Sequence, residues 1–193
     1  DRIEAGTFMT IAGITGGDIT IKGCRIEHLD ALVMKLKETG LGINILPDCV
    51  CIKGAARPGS VNIQTMPYPG FPTDMQAQFM ALMCIAEGTS IMKETIFENR
   101  FMHVAELRRM GADITVEGGT AAVKGVEKLK GAPLMATDLR ASASLIVAAL
   151  AAKGETVIHR IYHLDRGYES MEKKLIKLGA DVRRVKQSHI SAL

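Results

Sequence analysis

Two long apolar runs dominate the pattern of hydrophobic and polar positions. From Asp74 the chain reads DMQAQFMALMCIAEG to Gly88, and from Asp138 it reads DLRASASLIVAALAAKG to Gly154. Each run opens on a Thr-Asp pair and closes on a glycine, the start and stop signals of a helix. Thr73 followed three residues later by Gln76 has the form of a capping box. The residues between are apolar or small nearly all round, as in the stretch from Leu145 to Ala151, so these helices are predicted to be buried on every side.

The same phrase occurs three times. First helices are predicted to end at Gly17, Gly88 and Gly154, spacings of 71 and 66 residues. A short alternating strand follows each: DITIKG from Asp18, TSIMKE from Thr89 and ETVIHR from Glu155. A second helix then ends at Gly40, Gly111 and Gly179, which lie 23, 23 and 25 residues beyond the first glycines. A period near 70 residues implies a repeated supersecondary unit rather than a short solenoid repeat. The second helices carry one apolar stripe at spacings of three and four: Leu29, Leu32, Val33 and Leu36, then Val104, Leu107 and Met110, then Met171, Leu175 and Leu178.

Strands at Ile19/Ile21, Ile43/Ile45, Val50/Ile52, Ile114/Val116 and Val182/Val185 mostly alternate, as sheets with one wet face do. Leu46-Pro47-Asp48-Cys49 and Glu117-Gly118-Gly119-Thr120 read as hairpin turns. Together these predict an inside-out α/β domain of three βαβαββ repeats, with helices buried and sheets outside. The domain is placed at 1–187, with repeats at about 1–66, 67–134 and 135–187, and a tail at 188–193 to which no role is assigned.

Composition narrows the function classes. A chain of 193 residues fits one domain and buries roughly 70% of its unfolded surface. The net charge of +3 is spread over helix and strand faces, and with no Trp and 4% aromatics there is little to stack nucleic-acid bases on. No apolar run reaches membrane-spanning length without polar breaks. Cys24, Cys49, Cys51 and Cys84 have neither metal-site nor disulfide spacing, so no metal or cofactor is expected, and free thiols point to the cytosol. The chain opens on Asp1 with no initiator Met, which reads as a piece of a longer protein.

The candidate chemistry lies at the helix starts. Asp74 has two readings: a first-turn carboxylate stabilised by the helix dipole, or a ligand-facing acid. Its approach, Met66-Pro67-Tyr68-Pro69-Gly70-Phe71-Pro72, is stiff and aromatic, as binding loops are. Asp138 is followed by Arg140, Asp165 by Arg166, and Arg100 follows the middle strand of the second unit. Arginines at equivalent hinge points beside helix starts suit anionic oxygens. The repeat further allows Asp74 and Asp138 to meet in space. His28, His103 and His159 read as structural, and His163 is left open.

The stretches PGFPTDMQAQF, TIFENRFMHVAELRRMGA, MATDLRASASL and RIYHLDRGYE closely resemble the UDP-N-acetylglucosamine 1-carboxyvinyltransferase family, the bacterial enolpyruvyl transferases that open peptidoglycan synthesis. The resemblance runs from Arg2 to about Val185 and implies one of that family's two inside-out domains, the C-terminal one. It further implies that Asp74 contacts and deprotonates the sugar 3′-hydroxyl of UDP-N-acetylglucosamine, and that Ile96 contacts the nucleotide sugar through its backbone. Asp138 is implied in proton transfer at the enolpyruvyl methylene, and Arg166, with Arg100 and Arg140, in holding the phosphate or carboxylate of phosphoenolpyruvate. The family's catalytic Cys loop and its Lys-Asn pair belong to the other domain, the implied partner of this one, and neither motif is in this chain. By itself the chain is therefore expected to be inactive. The alternatives are a 5-enolpyruvylshikimate-3-phosphate synthase-like transferase and a stand-alone binding module with no catalytic role.

Overall fold

The computed structural model describes residues 1–185, so the tail expected at 188–193 lies outside the described residues. Three helices fill the centre: α1 (Arg2–Thr15), α3 (Gln76–Met83) and α5 (Leu139–Ala151) pack pairwise on one another. All of α3 is buried, as is α1 from Ala5 to Ile14. The hydroxyls of Thr7 and Thr10 donate to the carbonyls of Ile3 and Gly6, which lets polar residues sit inside this core. In α5 the expectation of all-round burial is only half met, because Ile146 and the residues from Ala149 to Ala151 are half-exposed. Among the described residues the sheet on that side holds only β8 (Pro133–Met135) and β9 (Val157–His159), too little to cover the helix.

Two larger sheets wrap the other sides. The first orders β1 (Asp18–Lys22), β3 (Cys49–Lys53) and β2 (Gly42–Leu46), all antiparallel. The second orders β4 (Ile63–Gln64), β5 (Thr89–Lys93), β7 (Thr120–Lys124) and β6 (Asp113–Glu117). In it β4 runs parallel to β5, as β8 does to β9. Alternation appears in β5, which buries Ser90 and Met92 and exposes Thr89, Ile91 and Lys93, but not at the expected Ile43/Ile45, where β2 is an edge strand and leaves Ile45 exposed. Beyond β7 the backbone closes tightly on the first helix. The Gly125 amide donates to the Gly88 carbonyl at 2.9 Å, and a Cβ on Gly125 would lie 1.7 Å from the Ala86 carbonyl oxygen.

The second helices α2 (Asp30–Glu38), α4 (His103–Arg109) and α6 (Met171–Lys177) are each followed by a glycine at positive φ, 91° at Gly40, 89° at Gly111 and 93° at Gly179. That conformation costs glycine least and ends each helix. The predicted stripes are buried except for Leu178, which is exposed just past α6.

Three local expectations are corrected. The apolar run to Gly88 is helical only to Met83, because the Cys84 carbonyl accepts from the Val126 amide, and Arg57 takes those of Ile85 and Ala86. The strand expected at Val182/Val185 does not form, for no described strand lies beside it to accept its hydrogen bonds. The capping box at Thr73 and Gln76 does not form either. The Thr73 hydroxyl turns to Glu94 instead, and the Gln76 amide is buried without a hydrogen-bond partner among the described residues.

Candidate active site

Parallel pairing creates the site. Because β4 and β5 run the same way, the loops that leave their carboxyl ends start side by side. The Thr65 amide donates to the Lys93 carbonyl at 2.9 Å, and the Thr65 hydroxyl donates to Glu94 Oε1 at 2.7 Å. From Thr65 the chain turns through Met66–Gly70, seats Phe71 edge-on against Phe79 at 5.4 Å, and enters a 3₁₀ turn at Thr73–Met75.

In that turn Thr73 caps nothing. Its hydroxyl donates to Glu94 Oε2 at 2.9 Å and accepts from Arg100 Nη1 at 2.6 Å. Asp74 is not a cap either. Its Oδ1 accepts from Arg100 Nη2 at 2.8 Å and its Oδ2 from Arg140 Nη2 at 3.1 Å, so two guanidinium groups grip one carboxylate. The Asp74 side chain keeps 38% of its exposure, against 25% for Arg100 and 18% for Arg140, so the carboxylate stands at the mouth of the cluster. The Phe97 ring lies 4.8 Å from the Arg100 guanidinium and flanks it.

Asp138 is a helix cap. Its Oδ1 accepts from the amides of Arg140 and Ala141 at 2.8 and 2.9 Å, which leaves Oδ2 with only the Thr137 hydroxyl at 3.3 Å among the described residues. The two carboxylates expected to meet are joined through Arg140, whose backbone binds one and whose side chain binds the other. Ile96 is tied in from the opposite side. Its amide donates to Glu94 Oε1 at 2.8 Å, while its carbonyl accepts no hydrogen bond among the described residues. Arg166 is not joined to the cluster. It ends the 3₁₀ turn Ile161–Arg166, exposed and in no ion pair among the described residues. Its neighbour Gly167 fits against the start of α5, where a Cβ would lie 2.9 Å from Leu139 Cδ2.

The electrostatics follow these contacts. Burial works against ionisation of Asp74, but the hydrogen bonds of Arg140 and Arg100 and then their charges outweigh it, holding the carboxyl below its usual value. For Glu94, too, burial opposes the charge and is outweighed, here by donors from Thr65, Ile96, Thr73 and Phe97. His103, at the start of α4, is pushed down to about 4 by burial, with Asp138 opposing the shift and Arg100 adding to it.

Sequence reasoning missed Glu94, which is 6% exposed and carries four hydrogen bonds. The signal was present. The inward phase of β5, Ser90 and Met92, continues to position 94, so an acid there had to be buried and satisfied. The four cysteines are free, and burial raises the Cys84 thiol to about 12. Among the described residues no three His, Cys, Asp or Glu side chains gather to hold a metal, and no helix is long and apolar enough to cross a membrane.

A buried three-helix centre, one-sided outer sheets and a site at the carboxyl ends of parallel strands define the enolpyruvyl transferase architecture. The enolpyruvyl transferase NikO from Streptomyces tendae has it too: TM-score 0.85 and 30% identity, over 95% of this chain and 44% of that one. EPSP synthase from Acinetobacter baumannii shares the fold at a TM-score of 0.72 and 20% identity. The family model for EPSP synthase (3-phosphoshikimate 1-carboxyvinyltransferase) matches residues 1–175. The chain belongs to that family.

Within it, a UDP-N-acetylglucosamine 1-carboxyvinyltransferase from Thermodesulfovibrio yellowstonii is 66% identical over 96% of this chain, and one from Geobacter metallireducens is 68% identical over 97%. The chain spans about half the length of these curated relatives, 45% of each.

Proposed function

We propose that this chain is one domain, built of repeats at about 1–66, 67–134 and 135–187, of an enzyme that transfers enolpyruvyl from phosphoenolpyruvate to the 3′-hydroxyl of UDP-N-acetylglucosamine and releases phosphate. This is the first committed step of peptidoglycan synthesis. The observation that carries the reading is the grip of Arg100 and Arg140 on the half-buried Asp74, in a chain 66% identical to a relative of that name. Four free thiols suit a reducing compartment, and we place the enzyme in the cytosol. The 5-enolpyruvylshikimate-3-phosphate synthase alternative has less support, since EPSP synthase from Acinetobacter baumannii shares 20% identity with this chain, against 66% for the Thermodesulfovibrio yellowstonii relative.

The chemistry needs a base at the sugar oxygen, an acid at the methylene carbon, and cations for the donor's anionic groups. Asp74 is the base. Held down by two guanidinium groups it is a weak one, so the incoming hydroxyl takes the place of one arginine bond and the carboxylate regains basicity. The freed guanidinium then faces the phosphate or carboxylate of phosphoenolpyruvate, as does the exposed Arg166. Asp138 moves the proton at the methylene through Oδ2, the oxygen that the cap leaves free. The unbonded Ile96 carbonyl meets the nucleotide sugar.

The test is phosphate release with both substrates. The full-length protein turns over, and the 193-residue chain alone does not, because the Cys loop and the Lys are outside it. No phosphate from the full-length protein overturns the activity. Turnover by the chain alone overturns the need for the second domain.

A further inference from the structure

Glu94 and Thr73 form a relay that ends on Asp74. Glu94 is a charged side chain with 6% of its surface exposed, and an ionised carboxylate at such depth persists only when fully satisfied. Its two oxygens face different partners. Oε1 accepts from the Thr65 hydroxyl at 2.7 Å, the Ile96 amide at 2.8 Å and the Phe97 amide at 3.2 Å, which pins the end of β4 to the loop after β5. Among the described residues Oε2 accepts from the Thr73 hydroxyl alone, at 2.9 Å.

The bond to Thr73 sets a direction. A hydroxyl has one proton, and with that proton on Glu94 the lone pairs of Thr73 face Arg100 Nη1, 2.6 Å away. The other terminal nitrogen of Arg100 is then placed on Asp74 Oδ1 at 2.8 Å. From Ile96 to Asp74 the path is four hydrogen bonds long, and its middle is the only hydroxyl in it.

We propose that Glu94 is a positioning residue. Acting through the Thr73 hydroxyl, it orients Arg100 against Asp74, and through the Ile96 and Phe97 amides it locks that geometry to the loop that meets the nucleotide sugar. The inference rests on the function proposed above, and it adds a residue that touches neither substrate but sets how the base is held. A merely structural Glu94 would matter for folding alone.

The test uses the full-length protein with Thr73→Val, Thr73→Ser, Glu94→Gln and the double variant Thr73→Val with Glu94→Gln. Thr73→Val keeps the shape and loses the hydroxyl. It lowers kcat about 10- to 100-fold, the range for a lost hydrogen bond to a charged group, because an Arg100 that has lost its seat no longer faces the anionic group of phosphoenolpyruvate, while the acceptor KM changes by less than about threefold. Thr73→Ser restores kcat to within about threefold of the parent, since the hydroxyl returns. Because both residues act along one path, the double variant is no worse than the poorer single by more than about threefold. Unchanged kcat in Thr73→Val, a Ser variant as poor as Val, or multiplicative losses in the double variant each overturn the relay.

A crystal structure of full-length Thr73→Val separates this from the proposed function. If the parent protein releases no phosphate, the function fails, yet the relay stands if Arg100 has left Asp74 and falls if Arg100 is still seated on it.

Discussion

The guanidinium of Arg140 reaches from the first turn of α5 to Asp74 Oδ2 at 3.1 Å, linking two residues that lie 66 apart in the chain. The same residue's backbone amide donates to Asp138. Arg140 is thus the hinge between a carboxylate that caps a helix and one that caps nothing, and the two acids answer differently to substitution.

Asp74→Asn in the full-length protein lowers kcat by a factor on the order of 10² to 10⁴, the range for a positioned acid or base. Stability changes little, because Asp74 caps no helix, Asn keeps one oxygen acceptor, and partly exposed ion pairs contribute at most about 1 kcal/mol each. Melting temperature and turnover on one preparation check both halves. Near-normal turnover removes Asp74 as the base.

Asp138 separates cap from chemistry by the choice of substituent. Asp138→Ala leaves the Arg140 and Ala141 amides without their acceptor and costs about 1 kcal/mol in denaturant unfolding, whereas Asp138→Asn preserves the cap. Both variants lose turnover if Oδ2 handles a proton. An Asn variant with parental kcat assigns Asp138 to the cap alone.

His103 makes stability depend on pH. Its ring titrates at about 4 when folded and near 6.5 when the chain is unfolded. Above the unfolded value both states are neutral and the ring contributes nothing. Between the two values only the unfolded chain takes up the proton, so stability falls as pH drops from about 6.5 to 4, by about 3 kcal/mol in all. His103→Leu flattens that part of the profile, as urea unfolding at stepped pH reports. A slope equal to that of the parent assigns the acid sensitivity to other groups.

Gly125→Ala is the most damaging single change expected in the framework. The new Cβ meets backbone rather than a yielding side chain, 1.7 Å from the Ala86 carbonyl oxygen, so either the backbone after β7 or that after α3 must move. A loss of at least about 3 kcal/mol, or failure to accumulate as folded protein, is the expected result by circular dichroism and thermal melts. A melting temperature within a degree or two of the parent contradicts it.

The framework was legible in the sequence because periodicity is a local property. Buried helices show as runs without a polar face, half-buried helices as stripes such as Leu32, Val33 and Leu36, and one-sided strands as alternation in β5. Three recurrences then imposed the inside-out arrangement, since a helix apolar all round has to be surrounded. The ends of elements were read less well. The helix begun at Gln76 stops at Met83 because Val126 and Arg57, remote in sequence, claim its next carbonyls. At the site, the chain alone showed which residue types lie in and around the helix-start loops: Asp74, Asp138, Arg100, Arg140 and Arg166. Only the tertiary structure decided that Asp74 is gripped rather than capping, that Asp138 caps, and that Arg166 stands apart. The reason is physical. An Asp in a first turn can accept from its own helix or from any donor the fold brings within reach, and spacing along the chain cannot rank those donors. Parallel pairing of β4 with β5 did so, by setting Glu94 beside Thr65 and Thr73 and so aiming Arg100 at Asp74.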